Sequence, residues 1–390
     1  MNGLRKRGWI LRVCARVAPI LLVFIIADFA FAAGVPPRLP LVVRGTSPTR
    51  QSPYAGPLRG GSNFLWYTLG SGCDREPYGI VPNYHHAEVR SQVRAQLAAM
   101  FASGQARLSL GVYFAHGVPT GTAIDSSDPA AVAQAAQNVA DLLADVKAAG
   151  FHGALFRFFP VGTIYPPNTD FDPSLMNEYW SFIQTIRPAL VNAQLPYLID
   201  LGVEALPRDS DLPFIPDPWK YPRNTNWSRA VRTLWQSYYA AYGAADTIGF
   251  SSLTDDDAGT MRSRVRHMRY VYDVGGGNPR YPATFAIDVY GDASANEAVK
   301  LTQFDQAMRR EDPNGSLGWR DAPVIVAETY YDDPVSAENL VAAMKNTGRK
   351  VPFLTQWPLD RGSGASSGGN CAATNVLPPF TWSVYGHYGF

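Results

Sequence analysis

Residues 323–329 read Pro-Val-Ile-Val-Ala-Glu-Thr. Three consecutive β-branched residues favour a strand, and no polar residue interrupts them. The run therefore suits a strand buried on both faces, as in a parallel sheet covered by helices. It ends on a carboxylate, Glu328. Working outward, similar short runs occur at 63–71, 107–116, 151–160, 195–205, 247–254, 283–290, 324–330 and 352–357. Between them lie amphipathic stretches of helical length at 85–101, 129–149, 174–194, 227–242, 261–272, 296–311 and 336–346. Asp128 is placed to cap the second of these, and Gly150 to stop it. Eight strands alternating with seven clear helices predict a single-domain (β/α)8 TIM barrel of the α/β class. A doubly wound open sheet would share the alternation. The eighth helix is weak, because only LPPFTWSVYGHYGF closes the chain.

The chain has 390 residues, 46% of them apolar and 17% charged, with a formal net charge of +1. This composition excludes a disordered chain and gives no basic surface for nucleic acid. Arg5, Lys6, Arg7, Arg12 and Arg16 precede or enter an apolar run over 17–26, and Ala30-Phe31-Ala32 follows. Those three parts predict a cleaved secretory signal over 1–32, so the protein is expected to be periplasmic or secreted, with no stable membrane span after processing. Residues 33–62 are rich in Pro, Gly, Arg and Ser and read as an arm or linker before a barrel over 63–390. Removal of the signal takes away five basic residues and Asp28, leaving 29 Lys+Arg against 32 Asp+Glu, a net charge of −3. It also removes Cys14. Cys73 and Cys371 then fall in the loops after the first and last strands, neighbours in a closed barrel, where an exported protein can form a disulfide. Two free thiols are the alternative.

In a TIM barrel the chemistry sits at the C-terminal ends of the strands. Those ends carry His116, Arg157, Asp200 with Glu204, Asp255 to Asp257, Asp288 with Tyr290, Glu328 with Tyr330, and Gln356 with Trp357. No His-x-His or strand-end Lys occurs, and no GxSxG nucleophile elbow or phosphate loop follows a strand, since the glycine-rich run at 362–370, which includes Gly364-Ala365-Ser366-Ser367-Gly368, reads as a flexible loop. This argues against amidohydrolase, Schiff-base, Ser-nucleophile and nucleotide chemistry. Paired carboxylates with Trp and Tyr suit glycosidic cleavage, in which one acid protonates the leaving oxygen and the other attacks carbon or activates water. No metal or cofactor is expected, and the partner is a carbohydrate bound by a monomer.

The residues 323–329 resemble the seventh strand of the clan of retaining (β/α)8-barrel glycoside hydrolases that includes the cellulase-like enzymes. That resemblance implies Glu328 as nucleophile. PFLTQW at 352–357 looks like the clan's eighth strand, which ends in a sugar-platform Trp, here Trp357. IDVYGD at 287–292 looks like its sixth, where Tyr290 would touch the nucleophile. Arg157 is similar to an arginine of the clan's second strand. The clan ends strand four with Asn-Glu, and this chain departs from that pattern. Strand count gives Glu204 as the acid, preceded by Val203. A register shifted by one strand would instead bring Asp255 near the acid's place, unless the Asp run there only caps a helix. The expected site is thus Glu328 and Glu204 for catalysis, with Trp357, Tyr290, Arg157, His116, Asp288, Asp255, Gln356 and Tyr330 for substrate. The activity implied is retaining hydrolysis of a poly- or oligosaccharide. The missing Asn-Glu also allows a non-catalytic glycan-binding or exopolysaccharide-assembly protein on the same barrel.

Overall fold

The computed structural model describes residues 59–66, 79–117, 121–168, 170–207, 226–359, 361 and 380–390. The signal segment, most of the arm, Cys73 and Cys371 lie outside the described residues.

Strands β1 (Gly61–Ser62) and β2 (Arg107–Ala115) are followed by a short β3 (Ala123–Asp125), β4 (Gly153–Pro160), β5 (Tyr197–Asp200), β6 (Thr247–Gly249) and β7 (Ser252–Leu253). Then come β8 (Phe285–Asp288), β9 (Val324–Glu328) and β10 (Thr355–Gln356). All their pairings are parallel, through β2–β4–β5–β6 and β7–β8–β9. β6 and β7 are two halves of one barrel strand. A bridge between Val326 and Leu354 joins β9 to the last strand. β10 pairs with β1, and a bridge between Asn63 and Ser109 joins β1 to β2. The circuit is closed, which an open doubly wound sheet cannot do, so the fold is the (β/α)8 barrel expected. β5 lies between β4 and β6, so the fourth barrel strand is the one ending near Glu204, and the shifted register is excluded.

The barrel begins earlier than the composition indicated. Gly61 and Ser62, read as the end of the arm, are already paired with Thr355 and Gln356. Glycine permits the close approach: a Cβ on Gly60 would fall 1.7 Å from the Leu354 carbonyl oxygen, and one on Gly61 would fall 2.1 Å from that of Arg107. Gly60→Ala is therefore expected to cost more than the ~1–3 kcal/mol of ordinary overpacking, because the obstruction is backbone. A chemical-unfolding midpoint equal to wild type would refute this closure geometry.

The helices match the expected stretches to within a few residues. α2 (Ala87–Ala102), α3 (Pro129–Ala148), α4 (Met176–Asn192), α5 (Asn226–Tyr242), α6 (Ala258–Val271), α7 (Glu297–Glu311) and α8 (Pro334–Thr347) each cross between barrel strands. They follow a one-turn α1 (Ile80–Asn83), and α9 (Ser383–His387) is the weak eighth helix. Asp128, Asp257, Asn296 and Asp333 cap helices by accepting backbone N–H bonds, which satisfies donors a helix start leaves open.

Alternation along the strands sorts residues into two cores. On β4, Ala154, Phe156 and Phe158 face the helices, while Leu155 packs inside the barrel with Leu198, Ile248, Ala286, Ile325, Ala327 and Phe353. Arg157 and Phe159 share the inward parity of Leu155 and lie successively higher. Layers along the barrel axis are thus apolar, then charged, then aromatic.

Candidate active site

Arg157 is the centre of the charged layer and is fully buried. Its Nε donates to Asp200 (3.1 Å), Nη1 to Glu328 (2.5 Å) and Asn63 (3.3 Å), and Nη2 to Ser251 (3.1 Å) and both oxygens of Asp288 (3.0 and 3.1 Å). Every N–H of the guanidinium therefore has an acceptor. Asp200 also accepts the backbone N–H groups of Gly202 and Ser251, which fixes the end of β5.

Two irregularities aim side chains into this layer. Strict alternation from Ile325 and Ala327 would send Glu328 outward. A register shift between β8 and β9 pairs Asp288 with Glu328 instead, and the carboxylate turns to Arg157. In the fifth barrel strand, Gly249 adopts φ 71°, and the parity after Ile248 is reset so that Ser251 faces inward.

Glu204 follows β5 in a left-handed conformation (φ 52°), uncommon for a residue with a Cβ. Its N–H donates to Ser251 Oγ at 3.0 Å. The segment after it is pinned by Trp227 Nε1 on the Ala205 carbonyl and Arg264 Nη1 on the Leu206 carbonyl. The two candidate catalytic residues converge: Glu204, Asp288 and Glu328 each bring one carboxylate oxygen within 4.8 Å of the others. Burial and the nearby Glu328 charge raise the Glu204 pKa to about 7. Three carboxylates at this spacing can ligate a cation, but the Arg157 guanidinium already supplies the positive charge among them, and we assign no metal to the trio.

Glu328 accepts from Arg157 on one oxygen and from the Tyr290 hydroxyl at 2.8 Å on the other. Burial and the Glu328 charge hold the Tyr290 hydroxyl well above its ordinary pKa, so it stays a donor. Above the carboxylates lies a cleft of about 420 Å³ lined by Tyr113, Phe159, Tyr165, Asn168, Val203 and Trp357 among others. Trp357 meets Trp66 edge-to-face at 5.3 Å, which fixes the indole as a wall.

The remaining expected residues are placed differently. Asp288 has both oxygens on Arg157 and is fully buried, so it lies behind the carboxylate pair rather than facing the cleft. Asp255 is bonded to Arg264 at 2.7 Å and is not part of the trio. His116 is bonded to Glu178 at 2.8 Å on the outer rim. Gln356 is buried and bonded to Ser62, the Thr381 carbonyl and the Asp332 N–H. Tyr330 bonds the Gly291 carbonyl and lies under Arg361. Asn63 and Ser251, both on Arg157, were missed. Tyr113 and Phe159 of the cleft were missed as well. Phe159 shares the inward parity of Arg157, a signal present in the run, whereas the bulge that turns Ser251 inward left only Gly249 as a trace.

No family profile matches the sequence, and no curated protein matches it. Among solved structures the chain is similar to a β-mannanase from the blue mussel Mytilus edulis, at 11% identity, TM-score 0.48, covering 83% of this chain and 92% of that one. It is similar to an endo-β-1,4-glucanase from Xanthomonas axonopodis pv. citri, at 14% identity, TM-score 0.44, covering 83% and 98%. It is also similar to an exo-β-1,4-mannosidase from Opitutaceae bacterium strain TAV5, at 12% identity, TM-score 0.45, with 77% of this chain covered but only 51% of that one. These proteins are glycoside hydrolases. The barrel itself is established by the closed strand circuit, independently of these distant likenesses.

Proposed function

We propose that this protein is a retaining glycoside hydrolase that cleaves O-glycosidic bonds of a poly- or oligosaccharide, exported on the signal read in residues 1–32. The observation that carries the proposal is the approach of Glu204 and Glu328 oxygens to within 4.8 Å at the floor of an aromatic cleft. An oxygen–oxygen approach under 4.8 Å supports the ~5–5.5 Å carboxyl separation of a retaining pair over the ~6.5–9.5 Å of an inverting pair. Glu328 attacks the anomeric carbon as the bond to the leaving oxygen breaks, and Glu204 gives that oxygen its proton. A glycosyl ester on Glu328 results. Glu204 then takes a proton from water, whose oxygen displaces Glu328. Arg157 and Tyr290 hold the nucleophile in place through both steps, and Trp357 offers a face to a sugar ring.

Screening the mature protein against neutral polysaccharides, including bacterial exopolysaccharides, tests the reading. Release of reducing ends with retained anomeric configuration is expected. Binding without turnover would favour a glycan-binding protein instead.

The raised Glu204 pKa fixes two signs. The acid form is present below about pH 7, so hydrolysis is expected to fall on the alkaline side of about 7. A folded-state value above the ordinary carboxyl value means the folded state binds more protons, so stability declines as pH rises from the ordinary value to about 7. Glu204→Gln is therefore expected to abolish hydrolysis of unactivated substrates and to stabilise the fold by at most about 3 kcal/mol at pH 8, with no gain at pH 4. Urea titrations at the two pH values check this, and an equal effect at both would contradict it.

A further inference from the structure

Four carboxylates surround one guanidinium in this site. Asp200, Asp288 and Glu328 bond Arg157 directly, and Glu204 lies beside Asp288 and Glu328. The other groups facing the trio do not balance the charge. Arg264 bonds Asp255, while Tyr165 and Tyr290 are hydroxyls held neutral by burial and the surrounding carboxylates. Fully ionised, the cluster would leave a large uncompensated negative charge in a buried space, which water would normally dissipate. One proton relieves it. Asp200 accepts from Arg157 and two backbone N–H groups, Asp288 accepts from Arg157 with both oxygens, and Glu328 accepts from Arg157 and Tyr290. Burial and the neighbouring carboxylates also raise the Asp288 carboxyl well above its ordinary value, but Arg157 opposes this by donating to both Asp288 oxygens. The Glu204 carboxyl accepts no hydrogen bond among the described residues, so the proton is least costly there.

Asp288 is the member of the cluster that the two-carboxylate mechanism does not use. We propose that Asp288 is a positioning residue of the reaction, sharing the charge of Arg157 with Glu328 and keeping the working proton on Glu204. Without it, Arg157 would bind Glu328 as a more exclusive ion pair, blunting the nucleophile. Glu204 would also lose a like charge within 4.8 Å and release its proton more readily. The inference rests on the glycosidase reading for its kinetic consequence but not for the placement of the proton.

Asp288→Asn keeps the shape of the side chain and removes its charge. Its alkaline limb of kcat/KM is expected to move to lower pH by about 1–2 units, with kcat reduced. A limb unmoved in a variant whose circular dichroism and Tm show an intact fold would overturn the proposal, as would a purely structural loss that scales activity equally at every pH. Infrared titration of the protonated-carboxyl stretch supplies a second test that needs no substrate. Wild type is expected to show such a band at pH 6, and Glu204→Gln to lack it. A band that survives in Glu204→Gln would place the proton on another carboxyl of the cluster and overturn its assignment to Glu204, and with it the proposal, even if Asp288→Asn does not fold. If wild type hydrolyses no glycan while the infrared result holds, the glycosidase reading fails and the proton assignment stands.

Discussion

Arg157→Met is expected to destabilise the fold by at least about 3–5 kcal/mol, the cost of breaking a buried ion pair by removing one partner. The cost is high here because several partners lose their donor together. Arg157, Asp200 and Asp288 are fully buried, and Glu328 is 7% exposed. Asn63 and Ser251 would also lose their bonds to the guanidinium. Replacing Arg157 alone leaves three acids without a counter-charge in the barrel interior. Protonation then offers the only relief, so the defect should shrink as pH falls from 7 towards 4. Urea unfolding of the variant across that range checks both magnitude and slope. Arg157→Lys restores a charge but not a five-donor fork, and should recover only part of the loss. A variant as stable as wild type at pH 7 would mean that the acids are not ionised in the folded protein.

Glu328→Gln is expected to lower hydrolysis by at least about 10⁴-fold, on the scale seen when an enzyme loses its nucleophile. The amide cannot form the glycosyl ester, yet its oxygen can still accept from Arg157 or Tyr290. The change also removes one negative charge from a cluster that has too many, so the fold should survive. Loss of turnover with retained glycan binding and unchanged Tm would therefore separate chemistry from structure. Turnover above a tenth of wild type would remove Glu328 from the mechanism.

The two variants probe one charged layer from its two sides. Arg157 holds the barrel interior together, while Glu328 sits where that interior meets the cleft. Trp357, Phe159 and Tyr113 form the aromatic layer above, and the apolar layer of Leu155, Leu198, Ile248, Ala286, Ile325, Ala327 and Phe353 lies beneath. A rigid apolar floor suits a site in which two carboxyls must keep a spacing to within a fraction of an ångström.

Glu328 at a strand end and the eight-strand count were legible in the chain, because apolar runs ending in charge mark buried strands and their C-terminal rim. Arg157, expected to bind substrate, is instead fully buried on the third barrel strand and bonded to the carboxylates. The same reading placed Glu204 as the acid by strand count and kept Asp255 as the alternative of a shifted register. Distance parts them: Asp255 is committed to Arg264, while Glu204 comes within 4.8 Å of Glu328. Asp288, His116, Gln356 and Tyr330 also stand at strand ends, and there the reading went no further than position, since which way each side chain turns depends on its neighbours.

By itself the sequence determined the alternation, the apolar faces and the residues that end the strands, all of which follow from local periodicity and turn chemistry. Only the tertiary structure decided closure, parity and charge. Closure depends on Gly60 meeting the backbone of Leu354, nearly three hundred positions away, and a local pattern carries no record of that contact. Parity depends on bulges at Gly249 and beside Glu328, each of which moves the following side chains to the other face. Charge depends on four carboxylates from three strand ends, Asp200 of β5 with Glu204 just after it, Asp288 of β8 and Glu328 of β9, gathering around one guanidinium, and a buried group takes its protonation from what surrounds it rather than from its place in the chain.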